Sequence, residues 1–339
     1  MLNFCTLFNS AYLAKGIALY DSLLKNCDEF HLYIFAFDEI TCKVLSEKKF
    51  SNATVIPQHE FETEQLLAAK SDRSVAEYCW TCTPFTIKYS IEKFKLDHCT
   101  YLDADTFFYR DPAILIHEMG DNSVLITPHN YNSRYDQSAV SGIYCVQFIT
   151  FKNNAAGMKI LNWWAEACIK WCYARYEDGK MGDQKYLDSW PYMFDGVYIC
   201  LNAGAGLAPW NLLNYAIEQN HDHITVNGEP LIFYHFHDLK YLSDNTWYIG
   251  GYEVGSDIIK NIYKPYISAL VEIDRGIKAE YKEINTSNSV DAADEGAASL
   301  KFKLGAYWLD LKRSFTQFAK DLVFFDRRKH NKNNYIRVK

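Results

Sequence analysis

The chain has 339 residues, 49% hydrophobic and 16% aromatic, with 35 Lys and Arg against 42 Asp and Glu, a formal charge of −7. That length predicts one large or two moderate domains with ample sequence for a core. The acidic balance argues against a nucleic-acid partner, the apolar share excludes disorder, and no run approaches the ~18–20 apolar residues of a membrane span.

In chain order, LNFCTLF (2–8) predicts a strand and NSAYLAKGIALYDSLLKN (9–26) a helix, with Ile17, Leu19, Leu23 and Leu24 near helical spacing. The opening MLNFCTLFNSAYLAKG has no basic stretch and turns polar by Asn9, so it does not read as a signal peptide. HLYIFAF and ATVIP follow as strands, and this β-α-β-α-β order predicts an α/β layer architecture with a largely parallel sheet. Residues 83–94 predict a helix, and CTYL (99–102) a buried strand ending at Asp103. SVLITPH and GIYCVQFITF are further strands, and Asn153 or Asn154 caps a long helix ending near Tyr173. Trp163, Trp164 and Trp171 on that helix read as core. VYICLNAG and PLIFYHFH are the last expected strands, with helices continuing to about Asn285.

Ten scattered cysteines include a Cys79/Cys82 pair and a Cys168/Cys172 pair. Their distance in sequence favours buried, reduced thiols in a cytoplasmic protein over a structural zinc.

Three regions result. Residues 1–285 form the expected catalytic body, 286–300 a polar linker, and 301–339 an amphipathic helix with a basic tail. Leu304, Trp308, Leu311, Phe315, Phe318, Leu322 and Phe325 recur at alternating steps of four and three. The last 39 residues carry +8, which leaves −15 on residues 1–300. The helix could dock on the body, pair with a second copy, or lie on a membrane. A Trp/Phe/Leu stripe joined to a basic tail favours an anionic surface, the inner face of the cytoplasmic membrane.

The sharpest local signal is YLDADTFFYRDP (101–112): an apolar strand stops at Asp103 and Asp105, where open α/β sheets place ligands. Two neighbouring carboxylates repel and are best tolerated beside a hard cation such as Mg²⁺ or Mn²⁺, which also binds phosphate. One enzyme class with such a string is the DxDxT phosphohydrolases of HAD type, which Asp103-Ala104-Asp105-Thr106 matches. About 100 residues with several strands precede it here, however, and Gly182-Asp183 lacks the apolar strand that class requires.

Residues 1–240 resemble the GT-A type nucleotide-sugar glycosyltransferases, in particular family 8 and related bacterial sequences. The resemblance is carried by Thr6 to Tyr12, the YLDAD string, Gly142 in SGIYCVQFITF, Gly182-Asp183-Gln184 through Asp188, and His235 in LIFYHFHDLK. It implies a Rossmann-like mixed sheet flanked by helices and a hexosyltransferase-type activity needing Mn²⁺ or Mg²⁺ and a nucleoside diphosphate sugar, expected to be a UDP-sugar. By carry-over Asp103, Asp105 and His235 hold the metal. Thr6, Asn9 and Tyr12 grip the base, Asp103, Ala104 and Asp105 line the donor site, and Asp183 and Gln184 lie near the transferred sugar.

The sequence departs from the family after the histidine, where it reads His235-Phe236-His237-Asp238-Leu239-Lys240, so His237 is an alternative ligand and the role of Lys240 is open. The family's usual Asn is here Ser141 or Cys145. The resemblance favours transfer with retention; an inverting enzyme would need a base such as Asp136, Asp183 or Asp188. A glycan or lipid-linked acceptor in bacterial surface polysaccharide or lipopolysaccharide synthesis follows by resemblance, and a non-catalytic sugar-binding or scaffold domain is the alternative. Trp80 and Thr81 are candidates for the rim of the donor pocket, and Trp210 for stacking on an acceptor sugar.

Overall fold

The computed structural model describes residues 1–220, 223–242, 245–281 and 334–337. The linker expected over 286–300 and most of the helix and tail expected over 301–339 lie outside the described residues.

The strands, in chain order, are β1 (Leu2–Phe8), β2 (Phe30–Ala36), β3 (Ala53–Pro57), β4 (His98–Leu102), β5 (Thr106–Phe108), β6 (Val124–Pro128), β7 (Tyr144–Lys152) and β8 (Val197–Ile199). Then come β9 (Ala205–Leu207), β10 (Ile217–Asn220), β11 (His223–Val226), β12 (Glu229–Pro230), β13 (Phe233–His235), β14 (Leu239–Tyr241), β15 (Thr246–Ile249) and β16 (Tyr335–Arg337). Among the described residues, seven strands form one sheet in the order β3-β2-β1-β4-β7-β6-β8. β3, β2, β1 and β4 run parallel, β7 lies antiparallel to β4 and β6, and β8 is parallel to β6. The mixed α/β sheet flanked by helices that the sequence implied is present.

Helices cover both faces, which is why the central strands read as nearly continuous apolar runs. Alternate residues of β1 divide between two cores: Cys5 and Leu7 pack with Trp164 and Trp190, whereas Phe4 and Phe8 pack with Leu13, Ile17 and Leu19 of the helix Leu13–Asn26. Gly16 on that helix lies against the Phe8 ring, where an added Cβ would sit 2.2 Å from the nearest ring carbon.

The helix expected over 83–94 instead spans Val75–Phe94. It starts at a capping box in which Ser74 accepts from the Glu77 amide and Glu77 accepts from the Ser74 amide. Pro84 sits inside it and cannot donate to the preceding turn, which obscured its first half in the sequence. Asn154 caps the helix Ala155–Lys170, on which Trp164 is fully buried. β16 falls within the segment expected as a basic tail, yet it pairs with β15, and Ile336 is buried beside Trp247.

Asp38 joins the end of β2 to the first loop. Its carboxylate accepts from the amides of Thr41 and Ser10, both at 2.7 Å. Burial alone would raise this carboxyl, but those hydrogen bonds outweigh it and hold the group below its usual range. A depressed folded value gives stability that is present above the unfolded value of ~3.9 and lost as pH falls. Asp38→Ala is expected to cost about 1–2 kcal/mol at pH 7. The difference from the parent should shrink in denaturation curves taken near pH 3; a gap unchanged with pH would show that the charge plays no part.

Candidate active site

β1 pairs with β2 on one side and β4 on the other, so the chain leaves these two neighbours in opposite directions. That is a topological switch point, where α/β sheets form a crevice at the carboxyl ends of the strands. The first loop, Asn9 to Tyr12, leaves β1 there, and the Asp103-Ala104-Asp105 turn leaves β4.

The turn is held by main chain. The Asp103 amide donates to the Gln147 carbonyl of β7 (3.1 Å), the Thr106 amide donates to the Asp103 carbonyl (3.1 Å), and the Phe236 amide donates to the Asp105 carbonyl (2.9 Å). β5 and β13 pair antiparallel with Thr106 opposite His235, which brings a residue 130 positions away beside the aspartates. His235 Nε2 lies 3.2 Å from Asp105 Oδ1 and 3.9 Å from Asp103 Oδ2. Its Nδ1 is 2.8 Å from Gln147 Oε1, and an N–H donated there leaves Nε2 free for a ligand role. The His235 side chain is 6% exposed and the His237 side chain 45%; His237 Nε2 is 4.0 Å from Asp238.

Lys15, from the first turn of the helix Leu13–Asn26, places its ammonium 3.6 Å from Asp105 Oδ2 and 4.4 Å over the Tyr12 ring. Burial pushes the Asp103 carboxyl up to about 6, with the charge of Asp105 adding to that and His235 opposing it. Asp105 goes the other way: burial would raise it, but His235 and Lys15 outweigh that and hold it well below the carboxylate range. His235 is the mirror image, raised because the attraction of Asp105 exceeds the cost of burying its charge.

The other candidates are placed as follows. Asn9 accepts from the Ala11 amide and so shapes the first loop, and Tyr12 is half-buried beside Lys15. Thr6 is fully buried within β1, its hydroxyl without a partner among the described residues. Ala104 is buried with Phe108 and Phe148. Asp183 is buried, and its carbonyl accepts from the Trp164 indole N–H. Burial pushes its carboxyl up to about 7, with the charge of Asp103 adding to it. Gln184 begins the 3-10 turn Gln184–Ser189. Asp188 pairs with Lys185 at 2.8 Å and accepts from the Ile143 amide. Trp80 packs beside Gly182, so it does border the Asp183 segment. Trp210 is buried, donates to the His129 carbonyl and stands edge-on to His235 at 5.2 Å; it backs the histidine, with little surface left to stack on a sugar.

Lys15, Gln147 and the main-chain frame were not singled out in the sequence. The phosphohydrolase string finds no support in the topology, since Asp103 follows the fourth strand and Gly182-Asp183 lies between a helix and a 3-10 turn. The ten cysteines are free, and among the described residues neither the Cys79/Cys82 pair nor the Cys168/Cys172 pair belongs to a group of three metal-ligating side chains. No helix of the described residues is long and apolar enough to cross a membrane.

No family model matches the chain. It is 31% identical over 277 residues to the Bacillus subtilis (strain 168) protein YfnD, described as uncharacterized, covering 78% of this chain and 87% of YfnD. It is 32% identical over 251 residues to YfnF of the same strain, covering 71% and 83%. The chain belongs to the YfnD and YfnF family. Among solved structures, the YfnD-like chain is similar to the bifunctional glycosyltransferase WbbM (14% identity, TM-score 0.41), over 61% of its own length but only 40% of WbbM. It is also similar to the galactosyltransferase LgtC, whose structure holds donor and acceptor sugar analogues (12% identity, TM-score 0.49, 80% and 96% covered).

Proposed function

We propose that the chain is a metal-dependent glycosyltransferase of GT-A type. It moves a sugar, read as a hexose, from a nucleoside diphosphate donor, read as a UDP-sugar, to a glycan or lipid-linked acceptor. The observation that carries this reading is the convergence of Asp103, Asp105 and His235 at the switch point, beside the first loop.

The side chains fit a divalent cation: two carboxylates of opposed protonation tendency face one imidazole nitrogen, and the other nitrogen is occupied by Gln147. A cation of the Mn²⁺ or Mg²⁺ kind, when bound there, supplies Lewis-acid stabilisation of the leaving diphosphate. Asp103 and Asp105 would hold it, with His235 as the third ligand. Lys15 stands beside Asp105 and adds a positive charge that a diphosphate can meet. Tyr12 and Asn9 shape the base end of the crevice, and Asp183 and Gln184 face the sugar end by resemblance. Retention is the preferred stereochemistry by resemblance, and of the candidate bases for inversion Asp188 is tied up by Lys185 and the Ile143 amide. NMR of the product anomer decides that point, and an inverted linkage would point to Asp183 as the base.

The test is a thermal-shift panel of nucleotide sugars with and without Mn²⁺. A ligand that binds the folded state alone stabilises by about 2.7 kcal/mol at a hundred times its Kd. One nucleoside diphosphate sugar should raise the melting temperature, and only when Mn²⁺ is present. No shift with any donor would reject the reading in favour of the non-catalytic scaffold, and a phosphomonoester shift would reopen the phosphohydrolase.

A further inference from the structure

The same strand that frames the aspartate turn carries an unassigned thiol. On β7, Cys145 and Gln147 are two residues apart and point to one face of the sheet. Gln147 meets Nδ1 of His235, and Cys145, 3% exposed, lies on the same side of the strand near that imidazole. One ligand atom each from Asp103, Cys145 and His235 lie within 4.8 Å of one another. Among the described residues no other cysteine belongs to such a group. Two ligands of one tetrahedral zinc, with Zn–S at about 2.3 Å and Zn–N at about 2.0 Å, stand about 3.5 Å apart. The three side chains therefore need to draw in by only about an ångström to share one ion.

We propose that Cys145 coordinates the metal as a thiolate and turns the aspartate–histidine site into a mixed oxygen, nitrogen and sulfur site that selects Zn²⁺ or Co²⁺ over Mg²⁺. The inference rests on the metal-site reading above. Mg²⁺ prefers oxygen ligands in octahedral geometry, whereas thiolate sulfur favours the softer, tetrahedral ions. Forming the metal–sulfur bond releases the thiol proton to solvent, so the site gains a negative ligand as the cation enters. Carboxylates and imidazole alone already favour Zn²⁺ and Co²⁺ over Mg²⁺, and a thiolate widens that preference.

The experiment is optical titration of the full chain with Co²⁺, followed by competition with Zn²⁺ and Mg²⁺. The parent should show a thiolate-to-cobalt charge-transfer band in the near ultraviolet together with visible cobalt bands. Cys145→Ser, which keeps the size of the side chain, should lose the ultraviolet band and keep visible ones. Its Zn²⁺ affinity should fall by about tenfold or more, with Mg²⁺ affinity little changed. Cys145→Ala, checked by circular dichroism, should behave alike and separates loss of the ligand from loss of fold. Visible bands without the ultraviolet band in the parent, or an ultraviolet band that survives Cys145→Ser, would overturn the proposal while leaving a metal site in place. Absence of any cobalt signal in the parent would overturn both it and the metal-site reading.

Discussion

Asp105→Asn is expected to lower release of nucleoside diphosphate from the cognate donor by about a thousandfold at saturating metal. A bound cation contributes several kcal/mol of stabilisation to a charged leaving group, and each 1.36 kcal/mol is a factor of ten. The substitution also removes the carboxylate charge from beside Lys15, whose side chain is 9% exposed and whose ammonium lies 3.6 Å from Asp105. Breaking such a pair by removing one member costs about 3–5 kcal/mol. Folding and chemistry are therefore confounded in the single variant, and the double variant Asp105→Asn, Lys15→Met separates them. It should regain most of the lost melting temperature and none of the turnover. Turnover within a few-fold of the parent in either variant would remove the metal-holding role of Asp105.

Gly204→Ala should lower stability by about 3 kcal/mol, among the largest effects available to a single methyl group in this chain. A Cβ at position 204 would stand 2.0 Å from the Pro230 carbonyl oxygen and 3.0 Å from its carbon, both main-chain atoms that no rotamer change can move. The Gly204 carbonyl accepts from the Ile232 amide at 2.8 Å, immediately before β13, so the displaced strand is the one that delivers His235. Metal affinity should fall together with stability. Gly255→Ala is the control, because nothing lies within 4 Å of its added methyl and its φ of −67° is open to any residue. Urea denaturation of the two variants checks the contrast; equal midpoints would mean that the strand accommodates the methyl without cost.

The sheet was legible because its strands are long apolar runs of period two or fully buried, and DxD was legible because two carboxylates interrupt such a run. What the sequence concealed was pairing. Lys15 reads as an ordinary helical cation in LAKG, and only the place of that helix beside the β4 turn makes it the partner of Asp105. Gln147 and Cys145 lie inside an apolar strand, where an amide reads as an irregularity and the thiol only as one of two positions standing where the family has its usual Asn. Their role depends on β4 and β7 running antiparallel with Leu102 opposite Phe148, a register that no local pattern announces. His235 and His237 could not be separated by spacing, because β13 ends at His235 and the next residues turn away. The short strands β9 to β15 went partly unread for the same reason that they are short: two to four residues carry no period.

The aspartate turn hangs on amide and carbonyl groups of Gln147, Thr106 and Phe236, and on none of its own side chains apart from Thr106. The path of its backbone is thus set by main-chain bonds, whereas Ala104 is fitted to the core beside Phe108 and Phe148 and the two aspartates to their buried charged partners. Substitutions there leave those main-chain bonds available, while the buried partners Lys15 and His235 still register the loss of a charge. A lineage could likewise exchange one carboxylate, or recruit a neighbouring sulfur, without rebuilding the loop. The main chain behaves here as a mounting plate on which different ligand sets can be fitted.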